Sequence, residues 1–162
     1  MITFILFLSF VGLLFYINPK VPFKIGNYQT EIPLRDYVKF YLTTLIPKEV
    51  NYKEYPLKPR DEILKALNSF LILNEYFSIE KLKDIFGDTV KICVVENYTA
   101  FCKKFKINEY LHFYNGPTNL TIYMDKETLE KLVKIIEKRN ENETLNFLIE
   151  AYINGRIIFK AT

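Results

Sequence analysis

Histidine, cysteine and glycine are scarce in this chain. One His and two Cys in 162 residues exclude a structural zinc site built from those side chains alone, because such a site takes about four of them. With 5 Gly in all, there is no Gly-x-Gly-x-x-Gly and no Gly-Lys-Ser/Thr phosphate loop. A His-Glu-x-x-His helix is missing too, as is any recognisable motif around a Ser or Cys nucleophile. Charge of one sign is also in short supply. Lys and Arg number 22 against 19 Asp and Glu, a net +3 that provides no concentrated basic face for a nucleic acid. The chain shows no signature of a cofactor, a metal or a catalytic group, and it reads as non-enzymatic.

Apolar and aromatic residues are abundant. At 49% hydrophobic, with 14 Phe and 12 Tyr, the chain can build a core, which excludes disorder for most of its length. The length suits one domain and an appendage. Residues 2–17 are apolar almost without interruption, and no charged side chain occurs before Lys20. At about 1.5 Å per residue this run is short against a hydrocarbon core of about 30 Å. Met1, Asn18 and Pro19 extend it, and Tyr16 suits an interface. A buried core helix would keep a polar side, whereas Thr3, Ser9 and Gly12 do not line up. A signal peptide would carry a basic start and a small-residue cleavage site, and neither is present. The run therefore predicts a transmembrane anchor over 1–18 and a single-pass protein of the cell membrane, with the lipid bilayer as a partner. Lys20, Lys24 and Arg35 after the run favour a cytoplasmic domain. Three Asn-x-Thr sequons, beginning at Asn97, Asn119 and Asn142, are candidate N-glycosylation sites and tip the balance to the external side.

Six of the seven prolines, Pro19, Pro22, Pro33, Pro47, Pro56 and Pro59, fall before residue 60. They mark 19–59 as a tether broken into short pieces. Within it Leu34, Val38, Tyr41, Leu42 and Leu45 share one helical side, suited either to a membrane surface or to docking on the following domain. From residue 60 the pattern is regular. Helical spacing runs from Ile63 to about Glu75 and again from Ile79 to Phe86, the latter capped by Ser78 and stopped by Gly87. Period-two runs follow at 89–95 and 100–107 around Asn97-Tyr98, then at 109–114 and 119–124. Asp125 caps a helix through Ile136, Asn142 caps another through Ile153, and a last strand covers 156–160. Residues 60–162 are thus expected to form an α+β domain with a mostly antiparallel five-stranded sheet covered by helices.

The stretch Asn119-Leu120-Thr121-Ile122-Tyr123-Met124-Asp125 leading into a helix with Leu129 and Leu132 resembles the sterol carrier protein (SCP-2-like) superfamily. The final Asn154-Gly155-Arg156-Ile157-Ile158-Phe159-Lys160 is similar to that family's last strand. The resemblance covers residues 60–162 and implies a sheet covered by helices around an apolar tunnel, hence a lipid or other apolar ligand. The family usually has a further C-terminal helix closing the tunnel, and the sequence here stops at Thr162. No catalytic or binding residue carries over.

Cys93 and Cys102 face one another if the hairpin turns at Asn97-Tyr98, as a non-hydrogen-bonded pair with Cα atoms about 4.5 Å apart. That suits a disulfide, and two small buried thiols are the alternative. His112 shares a strand side with Tyr110 and Tyr114, a solvated or hydrogen-bonded position. Lys103, Lys104 and Lys106 suit either anionic head groups or the solvated side of an edge strand. Dense Lys, Glu and Ile with a single Gln resembles hyperthermophile composition. Two functional readings stand at this level: an anchored module that binds an apolar ligand, and an accessory subunit that docks on a membrane protein partner.

Overall fold

The computed structural model of the chain describes residues 1–45, 52–55 and 62–162. Pro47, Pro56 and Pro59 lie outside them. Helix α1 spans Ile2–Ile17 and is followed by strands β1, Lys20–Ile25, and β2, Tyr28–Pro33. Helix α2 is Leu34–Thr44, β3 is Lys53–Tyr55 and α3 is Glu62–Asn68, continued by a 3₁₀ turn over Ser69–Glu75. Helix α4 is Ile79–Phe86, and strands β4, Thr89–Glu96, β5, Thr99–Ile107, β6, Leu111–Phe113, and β7, Leu120–Asp125, follow. Helices α5, Lys126–Glu137, and α6, Glu141–Ile153, precede the last strand β8, Ile157–Ala161.

Helix α1 corrects the transmembrane expectation. It has 16 residues, about 24 Å at 1.5 Å each against about 30 Å of hydrocarbon. Asn18 adopts a left-handed conformation, φ 51°, and closes the helix through its N–H to Leu14 O at 2.9 Å. Pro19 follows and β1 begins at Lys20, so neither Asn18 nor Pro19 lengthens the helix. No helix among the described residues is long and apolar enough to cross a membrane. The anchor over 1–18, the single-pass description and the cell-membrane location are therefore set aside.

The sheet is a second correction. It has six strands in mixed orientation, in the order β3-β5-β4-β7-β8 with β6 beside β5. The β3·β5 and β4·β7 pairs are parallel, and β4·β5, β5·β6 and β7·β8 are antiparallel. Two causes raise the count and the parallel share. Lys53–Tyr55 adds a strand on β5, and β7 enters beside β4 running the same way. The α+β class itself stands.

Alternation divides the side chains of the sheet between two faces. Val90, Ile92, Val94, Ile122, Met124 and Ile157 turn towards the helices and meet Leu67, Leu82, Leu129, Leu132, Ile136 and Leu148 in the main core. Cys93, Ala100 and Tyr123 lie on the opposite face in a smaller cluster, with Tyr52, Val95, Cys102 and Ile158 packed on it.

The segment expected as a tether includes the β1–β2 hairpin, whose Phe23, Ile25 and Ile32 belong to the main core. Pro22 and Pro33 are tolerated because both strands of a two-stranded ribbon keep an unpaired edge. The turn rests on α4, with Asn27 N–H donating to Asp84 O at 2.7 Å. Gly26, at φ 60°, leaves no room for a Cβ, which would lie 2.2 Å from Ile85 O. Helix α2 docks on the domain through Phe40, whose ring lies 5.0 Å from Phe23 and 5.1 Å from Tyr152. Tyr41, Leu42 and Leu45 of the expected apolar side are exposed.

Candidate functional site

The most unusual surface of the molecule is α1. None of its residues is buried. Only Val11, Leu14 and Phe15, on one side at the C-terminal end, are partly covered. Phe4, Leu6, Phe7 and Phe10 are each 59–65% exposed. The helix is nevertheless fixed in direction. Arg35 Nε donates to Phe15 O at 2.9 Å, Arg35 N–H donates to Asn18 Oδ1 at 3.0 Å, and Leu34 N–H donates to Pro19 O at 2.8 Å. A guanidinium at a helix C-terminus meets free carbonyls and the negative end of the dipole. Beyond this junction Tyr37 and Tyr41 of α2 and Leu45 at its C-cap, spaced by four residues, are also exposed and extend the apolar surface. An open cleft of about 710 Å³ lies beside them, lined by Phe23, Lys24, Glu31, Tyr37 and Phe40.

The hairpin of β4 and β5 pairs Cys93 with Cys102, and the two are joined by a disulfide with Cα atoms 4.1 Å apart. Asn97, at φ 55°, makes the turn, a conformation that Asn tolerates. Glu54 lies close to both sulfurs, the one constellation of three metal-ligand types among the described residues. Its sulfurs are bonded to each other and offer no thiolate pair, while Glu54 is ion-paired with Lys91.

His112 Nδ1 lies 3.0 Å from Phe113 O, and its ring is 5.0 Å from that of Tyr110. The lysine run is not on an edge strand, since β5 pairs with β4 on one side and with β3 and β6 on the other. Lys103 Nζ sits 4.2 Å over the Phe113 ring, Lys104 Nζ donates to Gly116 O at 3.2 Å, and Lys106 Nζ is 5.5 Å from the Tyr114 ring. The three amines are therefore engaged within the molecule. Of the sequon residues, Asn97 is exposed at the hairpin tip and Asn119 is exposed before β7. Asn142 is exposed in the first turn of α6, but its sequon partner Thr144 is fully buried and bonded to Tyr76 Oη at 2.8 Å. The cap of α6 is Asn140, whose Oδ1 accepts Glu143 N–H at 3.0 Å, and not Asn142.

Burial raises the phenol pKa values of Tyr76, Tyr123 and Tyr152. The hydrogen bond that Lys81 Nζ donates to the Glu141 carboxylate raises the pKa of Lys81. Sequence alone marks Arg35 only as a charge following the apolar run and assigns no hairpin to residues 20–33. The signal for the hairpin was present in Val21, Phe23 and Ile25 alternating up to Gly26-Asn27, a two-residue turn pair.

Comparison of the chain with family models, with curated proteins and with solved structures gives no significant match.

Proposed function

We propose that this protein is a non-catalytic docking subunit whose helix α1 inserts into an apolar groove of a larger partner protein. The observation that carries the reading is the exposure of α1 on nearly every side, combined with its fixed junction to the domain. Contiguous exposed apolar surface of this size marks an interaction site. A standard interface takes about 800 Å² from each partner, and eleven large apolar side chains of residues 1–17, each at least 53% exposed, offer more than that. A single facing helix from a second copy covers one side only, so an occupant that satisfies α1 must surround it. The partner is therefore a protein with an apolar cleft about 24 Å deep. The clamp at Arg35 and Asn18 holds the domain outside that cleft in one orientation, so the partner meets a defined surface that includes Tyr37 and Tyr41. A filled core supports docking over binding of an apolar ligand: Leu67, Leu82, Phe105, Leu132 and Ile136 occupy the space between sheet and helices.

Photo-crosslinkers placed singly at Ile5, Leu8, Phe10 and Leu13 of the full chain test this. The expected result is one and the same protein cross-linked from all four positions. That protein, once purified, co-elutes with the chain, and the variant Leu6→Glu/Phe10→Glu abolishes the complex while leaving the circular dichroism of the domain unchanged. Adducts to lipid or to other copies of the chain alone overturn the reading, as does a complex that survives the double substitution.

A further inference from the structure

A cleft of about 500 Å³ opens at one end of the main sheet, far along the chain from α1 and unused by the docking reading. It lies at the carboxyl ends of the parallel pair β4 and β7, the place where open sheets with parallel strands receive ligands. Its volume falls within the about 300–1,000 Å³ of small-molecule sites. The wall and floor come from the opposite face of the sheet. Tyr123 and Ile158 line it with Tyr52, whose ring lies 5.4 Å from that of Tyr123.

Two opposite charges line the same cleft. The last ladder pair of β7 and β8 is Met124 with Ile157, so Asp125 and Arg156 are the next residues on the two chains. Nevertheless, neither forms an ion pair among the described residues. Asp125 Oδ1 accepts Thr128 N–H at 2.7 Å as the cap of α5, which leaves its second oxygen for another donor. The main-chain N–H of Arg156 donates to Ala151 O at 2.9 Å, so the backbone is pinned while the exposed guanidinium keeps its five donors. A carboxylate and a guanidinium that share a cleft without meeting suit a ligand with both charges on neighbouring atoms.

We propose that this cleft binds a free aromatic α-amino acid as its zwitterion, the ammonium on Asp125, the carboxylate on Arg156 and the ring against Tyr52 and Tyr123. Arg matches a carboxylate with two parallel hydrogen bonds. The tyrosine rings favour an offset or edge-on aromatic partner. Burial holds the Tyr123 phenol protonated, so it stays a neutral donor and adds no charge to repel the ligand.

The experiment is calorimetric titration of the full chain with L-phenylalanine. One-site saturable binding is expected. Asp125→Asn, which preserves the cap, and Arg156→Gln each weaken it about ten-fold or more, the worth of one charge-assisted hydrogen bond. Phenylalanine methyl ester, without the carboxylate, loses its dependence on Arg156. N-acetylphenylalanine, without the ammonium, loses its dependence on Asp125. Absence of saturable binding at about 10 mM, well above the millimolar range that corresponds to the weakest useful affinities, overturns the proposal. So does equal binding by both variants, weakening by only one of them, or leucine binding as tightly as phenylalanine.

Discussion

Arg35 donates from its Nε to the main-chain oxygen of Phe15 across 2.9 Å, and this side-chain bond joins the two main-chain N–H bonds of Leu34 and Arg35 in tying the C-terminus of α1 to the N-terminus of α2. Arg35→Ala is expected to release the end of the helix. A hydrogen bond of about 1 kcal/mol corresponds to about five-fold faster amide exchange over residues 13–18. Global stability, read from urea unfolding, should move by less than about 0.5 kcal/mol. Unchanged exchange would mean that Arg35 does not hold the junction.

The hairpin between α1 and α2 is part of the core, with Phe23 only 5% exposed. Phe23→Ala should cost about 3–5 kcal/mol, the range for deleting a buried ring. A spacer without core contacts would show almost no change in the unfolding midpoint.

Reduction of the Cys93–Cys102 bridge, or its replacement by two alanines, is expected to lower stability. The bridge closes a loop with a sequence separation of 9, for which chain entropy suggests about 2–3 kcal/mol as an upper figure. The β4–β5 ladder should survive, because Val94 and Ala100 hold it from both faces of the sheet. Far-ultraviolet circular dichroism and urea unfolding with and without dithiothreitol check both statements.

Asn140 caps α6 and Asn142 does not. Asn140→Ala should cost about 1 kcal/mol, and Asn142→Ala, at an exposed first-turn position, less than about 0.5 kcal/mol. Equal effects from the two substitutions would place the cap wrongly.

Alkaline pH should destabilise the fold. Burial raises Tyr76, Tyr123 and Tyr152 above the ordinary 10.0, and the Glu141 hydrogen bond raises Lys81 above 10.5. In each case the fold favours the protonated form, so the contribution is complete below the unfolded pKa and is lost as pH rises through the folded one. The urea midpoint should be level between about pH 7 and 9 and fall above about pH 10. The share from Lys81, about one-third exposed at 36%, stays below about 1 kcal/mol because solvent screens the pair. A midpoint that rises above pH 10 would reverse the assigned directions.

Beyond residue 60 most of the element order was legible, because each element carries its own punctuation. Ser78 and Gly87 bracket α4, Asp125 caps α5, and Gly155 follows α6. The register of Cys93 against Cys102 could be counted from the Asn97-Tyr98 turn alone. Before residue 60 the prolines misled. Pro22 and Pro33 read as breaks, since a proline cannot donate to a sheet, but a two-stranded ribbon leaves one side of each strand without a ladder to break. The sixth strand, at Lys53–Tyr55, is three residues long and wholly exposed, too short for a period to show. The cleft between Tyr52 and Arg156 was not legible at all, because its walls come from residues about 100 positions apart that meet only through β5, β4, β7 and β8.

The linear chain settled the local matters by itself: which windows turn as helix, where caps and turns interrupt them, and that its first seventeen residues present apolar surface all round. Those properties depend on side chains within a few positions of one another. Tertiary structure decided the rest. It set the parallel pairing of β4 with β7, the seating of the hairpin on α4 and the placing of Asp125 and Arg156 on one cleft. Each of these follows from packing between segments distant in sequence, where the burial of shared surface, and not local propensity, selects the arrangement.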